Sequence, residues 1–193
     1  MRATEVPSLN ISIKDKGNNK KQYLFRPFLF KGGTKVKRTT YHNIKPSRAE
    51  LRTISKRLPL IVKIIHHLTA QLASGKSHLT FLCSYNALRN FYRWADERDC
   101  DITIEEAPEQ FASWVDHLIT RYQKEEISPK TAYDLAHRVG YTLTNALELG
   151  PFLIRNIKIP PPEKNHLIIL RKLKKTITSH YFSENAFGRF RKH

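Results

Sequence analysis

A length of 193 residues suits one or two domains, an apolar share of 40% supplies one modest core, and a net charge of +17 with a pI near 10.0 points to an anionic partner. No run of about eighteen apolar residues is present, and the opening MRATEVPSLN lacks the apolar stretch of a secretory signal. These features exclude a membrane-spanning helix and predict a soluble, cytoplasmic protein, nucleoid-associated if bacterial.

The charge is unevenly placed. Residues 1–45 hold eleven Lys/Arg and two acids, a net of +9, and residues 46–76 add +5. Residues 77–150 carry −5 and residues 151–193 carry +8. This suggests three parts: a basic arm over 1–45, a helical bundle over 46–150, and a Pro-rich linker with a basic helix and tail over 151–193.

The first twenty residues are polar and show no period, so a mobile arm is expected there. From Lys21 to Tyr41 the aromatic run Tyr23, Leu24, Phe25, Phe28, Leu29, Phe30 precedes Lys31-Gly32-Gly33-Thr34, and Lys35-Val36-Lys37-Arg38-Thr39-Thr40-Tyr41 follows it. Glycines at a tight turn between aromatic and β-branched flanks predict a β-hairpin, with Pro27 at an edge or bulge. Lys35, Lys37 and Arg38 on its second strand can enter a DNA groove. The same charges also serve to keep an edge strand from aggregating.

Between Ser47 and Ser74 the residues Leu51, Ile54, Leu58, Ile61, Ile65 and Leu68 recur at helical steps. Ser47 with Glu50 has the capping-box spacing, and Pro59 predicts a kink or two helices meeting near Leu58. His66 and His67, adjacent on a helix, point about 100° apart and are poorly placed to share a metal.

Three more helices follow. Ser77 is placed to cap the first, which carries Leu82, Tyr85, Leu88, Tyr92 and Ala95 on one side. The second, from about Pro108 to Lys124, repeats Phe111, Trp114, Val115, Leu118 and Ile119. The third opens on Ser128-Pro129 and spaces Ala132, Leu135, Ala136, Val139, Leu143 and Ala146 along one face, before Gly150-Pro151 ends it. Beyond Pro160-Pro161-Pro162, a stiff connector, a helix from about Glu163 to His180 is expected. Its Arg171, Lys172, Lys174 and Lys175 turn away from Leu167, Leu170, Leu173 and Ile177, so that it can lie against phosphate or dock on a partner.

The order of these elements resembles the core-binding domain of the tyrosine recombinases, the phage-integrase family. The matching residues are Tyr85, Leu88, Phe91 and Trp94 on one helix, then the helix around Phe111 to Leu118, then Ser128 and Thr131 opening the next. About seventy residues are covered. The resemblance implies a mainly α fold, a core-binding-like helical bundle here joined to an N-terminal basic β-hairpin and a basic C-terminal helix. It also implies that the polar faces of the first and third bundle helices meet DNA, through Lys76, His78, Thr80, Arg89, Arg93, Lys130, Thr131, Arg138 and Tyr141. The family often has a basic residue soon after the threonine; here Ala132-Tyr133-Asp134-Leu135 follow, and Arg138 is the nearest substitute.

Catalytic chemistry is not expected. The family's separate cleaving domain uses an arginine, a lysine, a His-x-x-Arg and a nucleophilic tyrosine, and no His-x-x-Arg occurs in this sequence. Ala70-Gln71-Leu72-Ala73-Ser74-Gly75-Lys76-Ser77 matches a relaxed P-loop, but it follows a helix where a P-loop must follow a strand. Cys83 and Cys100 have neither metal-ligand spacing nor the number for a disulfide framework. No metal or other cofactor is expected.

The resulting expectation is a non-enzymatic protein that binds double-stranded DNA in site-specific recombination or integration of a mobile element. A homo-oligomer or a recombinase partner can engage the C-terminal helix. Two alternatives stand beside it: an RNA-binding component of a ribonucleoprotein, and a protein-interaction adaptor in a mobile-element complex.

Overall fold

The computed structural model describes residues 9–14, 20–35 and 46–149. Within them lie two strands, β1 (Asn10–Lys14) and β2 (Lys20–Leu24), two short 3-10 turns (Arg26–Leu29 and Gly33–Lys35), and four helices. The helices are α1 (Arg48–Ala73), α2 (His78–Glu97), α3 (Ala107–Gln123) and α4 (Pro129–Ala146). The described part is therefore a helical bundle preceded by a two-stranded antiparallel hairpin.

Three of the four helices begin on a serine whose side chain accepts a backbone N–H, satisfying one of the donors a helix start leaves open. Ser47, Ser77 and Ser128 accept from Glu50, Thr80 and Thr131 respectively. At Ser47 the full capping box forms, with the Glu50 carboxylate accepting the Ser47 N–H at 2.7 Å. These hydrogen bonds hold the Glu50 carboxyl below its ordinary range.

Pro59, expected to kink or divide α1, lies on an exposed position within an unbroken helix of 26 residues. Internal proline costs about 3 kcal/mol. Burial of Ile54, Leu60, Ile61, Ile64 and Leu68 on the same helix opposes that cost with about 1.5–3 kcal/mol per large side chain.

The hairpin is not where the glycines suggested. Lys20–Leu24 pairs backward with Asn10–Lys14, in a register running from Asn10 opposite Leu24 to Lys14 opposite Lys20. The chain around Gly32-Gly33 instead forms the two 3-10 turns. Pro27 sits in the first turn of the 3-10 helix, where its fixed φ fits and its missing N–H is not needed. Phe25, Phe28, Leu29 and Phe30 are all buried, which a strand alternating between two faces does not allow. Lys37 and Arg38 lie outside the described residues, as do the Pro-rich linker and the C-terminal helix with Arg171, Lys172, Lys174 and Lys175.

One core joins all of this. The 3-10 segment packs on α1 and α2, while α4 packs against α1, α2 and α3. Tyr23, Phe25 and Phe28 meet Tyr85 edge-on, at ring-centroid distances of 5.2–5.6 Å, and Phe28 meets Tyr92 at 5.1 Å. Phe91 and Trp114, 5.2 Å apart, join α2 to α3. Residues that read as part of an arm thus supply a wall of the bundle's interior.

Candidate nucleic-acid interface

Arg57 organises the charges of this fold. It lies on the apolar stripe of α1, three residues after Ile54 and four before Ile61, and its side chain has no exposed area. Its guanidinium lies 2.8 Å from the Asp96 carboxylate and donates to the carbonyls of Phe28 at 3.3 Å and Cys100 at 3.2 Å. It also faces the Tyr92 ring at 5.7 Å. Burial pushes the Asp96 carboxyl above its ordinary value, and Arg57, the Gly32 N–H at 2.9 Å and Lys35 pull against that shift.

The rest of the acidic connection after α2 is also occupied. Asp99 pairs with Lys31 at 2.5 Å, Glu97 with Lys35 at 3.0 Å, and Asp101 with Lys56 at 2.8 Å. The hydrogen bond from Lys31 holds the Asp99 carboxyl below its usual range, and Asp101 raises the Lys56 ammonium. Cations from the N-terminal segment and α1 therefore neutralise the run Asp96 to Asp101. Most carboxylates left without an ion pair among the described residues belong to α3 and its flanks: Glu105, Glu106, Glu109, Asp116 and Glu125.

The residues expected to meet DNA divide into three groups. Lys76, Arg93, Lys130 and Thr131 are exposed, and Lys76, Arg93, Lys130 and Arg138 form no ion pair among the described residues. The hydroxyls of Thr80 and Thr131 serve the helix starts, each 2.9 Å from its capping serine. On α4, Tyr141 stacks on His137 at 6.4 Å and meets His67 of α1 at 5.8 Å. The same stripe continues to Tyr133, which stacks on His137 at 5.6 Å and whose hydroxyl is pushed up to about 12 by burial.

The third group faces the N-terminal segment. His78 bonds the Tyr23 hydroxyl at 2.5 Å, Arg89 donates to the Thr34 carbonyl at 3.0 Å, and Lys35 holds Glu97. For these three the structure gives intramolecular partners, so their first role is to seat β2 and the 3-10 segment on α2. Lys35 and Arg89 nevertheless line one cleft of about 450 Å³ with Tyr85 and Asn86.

Arg57 is the residue that pattern reading missed. A charged residue centred on an apolar stripe was the available signal, since such a residue is buried only when paired. Among the described residues, no group of three or more His, Cys, Asp or Glu could hold a metal, and no helix is long and apolar enough to cross a membrane. Comparison with protein-family models, with characterised proteins and with solved structures finds no match to this chain.

Proposed function

We propose that this chain is a non-catalytic DNA-binding protein, built like the arm and core-binding portion of a tyrosine recombinase. It would act in the cytoplasm in site-specific recombination or in integration of a mobile element. The observation that carries the reading is the sorting of charge on the bundle. An acidic connection facing a phosphate backbone would oppose binding, and here Asp96, Glu97, Asp99 and Asp101 are each held by a cation of the same chain. Of the acids left without an ion pair among the described residues, Glu105, Glu106, Glu109, Asp116 and Glu125 gather at α3 and its flanks, and Glu50, Asp134 and Glu148 lie elsewhere. Lys63 and Lys76 from α1 and its turn, Arg93 on α2, and Lys130 and Arg138 on α4 keep their charge available.

Duplex DNA carries about one charge per 1.7 Å of axis, so such cations act by releasing counterions. Phosphate contacts then supply affinity and position, while sequence discrimination requires a side chain at a base edge. Fluorescence anisotropy with a labelled duplex tests this. With roughly six phosphate contacts, affinity should fall about a thousandfold between 50 and 200 mM salt. Affinity that does not change over that range would overturn the reading.

A further inference from the structure

The cleft between the 3-10 segment and α2 has a composition that its role in packing does not use up. We infer that it is a binding site for a nucleoside monophosphate. This rests on the nucleic-acid reading for the identity of the ligand, though not for the cleft itself.

The cleft is built by close approach of backbone. Gly33 passes so near Pro27 that a Cβ there would stand 2.1 Å from the Pro27 carbonyl oxygen, so only glycine lets the two 3-10 turns close on each other. Its volume of about 450 Å³ falls in the range of roughly 300–1,000 Å³ common to small-molecule sites. Pro27 and Leu82 give apolar walls against which a planar base can lie, and Tyr85, its ring packed with Tyr23, Phe25 and Phe28, lines the cleft beside them.

The polar groups are few and distinct. Arg89 has five N–H donors and gives one group to the Thr34 carbonyl, which fixes the guanidinium at the cleft and leaves further donors for an anion. Lys35, exposed at the rim, can exchange Glu97 for a phosphate carrying up to two charges. Asn86, one helical turn before Arg89, is exposed and its amide makes no hydrogen bond among the described residues. An amide offers a donor and an acceptor side by side, which matches the N6 and N7 edge of adenine. The Thr34 hydroxyl, buried beside these groups, also has no partner. An acidic peptide would use the cations but brings no planar group to lie against the Pro27 and Leu82 walls.

The test is an NMR titration of the intact chain with dAMP, deoxyadenosine and inorganic phosphate. The inference expects dAMP to shift the Asn86 and Arg89 side-chain signals at lower concentration than either half alone, and Asn86→Ala to weaken dAMP by about tenfold. Because Asn86 is exposed, that variant keeps the fold, which a circular dichroism spectrum verifies. Arg89→Gln should abolish the advantage of dAMP over deoxyadenosine.

A second arm compares a blunt duplex with one carrying a short single-stranded overhang. If the overhang raises affinity in the parent chain and not in Asn86→Ala, the natural ligand is the end of a strand. If dAMP binds and the overhang adds nothing, it is a free nucleotide. No response to millimolar dAMP and no gain from the overhang overturns the inference, and blunt-duplex binding under those conditions leaves the DNA reading standing.

Discussion

Arg57 of α1 and Asp96 at the end of α2 meet at 2.8 Å with both side chains almost wholly withdrawn from water, 0% and 2% exposed. The same guanidinium holds the Phe28 carbonyl, and the same carboxylate accepts the Gly32 N–H. The pair therefore ties two helices and the N-terminal segment at a single point.

Removing one partner leaves the other charged and unpaired in the interior. Arg57→Met is expected to cost about 3–5 kcal/mol, and a well-packed double replacement, Arg57→Met with Asp96→Leu, to recover much of it. Urea denaturation of the two single variants and the double variant gives the coupling directly. A loss below about 1 kcal/mol for Arg57→Met would show that the pair does not fasten the segment.

Phe28 is 1% exposed and touches Phe25, Tyr85 and Tyr92. Phe28→Ala should destabilise the whole bundle by about 3–5 kcal/mol, as truncation of a core aromatic does. The transition should remain single, because the segment shares the bundle's core. A variant with unchanged thermal stability would mean that residues 20–35 are separable from the helices.

His67 is half-buried between α1 and α4, its Nε2 is buried without a partner, and burial lowers its pKa from the ordinary 6.5. A depressed histidine favours the folded state above the unfolded pKa, and this contribution is lost as pH falls through the folded value. Stability should therefore decline on acidification below about pH 6.5, and less so in His67→Gln. His117 shifts the same way and Asp96 the opposite way, so the informative quantity is the difference between variant and parent at pH 7 and pH 5. An identical pH dependence in the variant would remove His67 as a contributor.

Lys130 is exposed on the first turn of α4, and Arg138 lies two turns further along. Lys130→Ala with Arg138→Ala should weaken duplex binding, lower the slope of log affinity against log salt by about 2, and leave the helical spectrum unchanged. Equal binding by the double variant would take α4 out of the interface.

The local code was legible in the text of the chain. Ser47, Ser77 and Ser128 mark their helices because capping is a contact between near neighbours, and the stripes through Phe111, Trp114, Leu118 and through Ala136, Val139, Leu143 name their own buried faces. What depends on distant contact was not. Asn10–Lys14 has its isoleucines at alternate positions, yet nothing nearby names Lys20–Leu24 as its partner or turns Phe25 to Phe30 into the bundle.

Arg57 shows the same division. Its place on an apolar stripe is a property of the helix, whereas the carboxylate that permits burial lies 39 residues away and reaches it only when α1 and α2 pack. Order along the chain determines helices, caps and total charge, because these depend on composition and on residues within a turn. Only the assembled core decides which charges cancel, which remain for a partner, and where a cleft is left, because those outcomes depend on distances between segments that sequence separation does not specify.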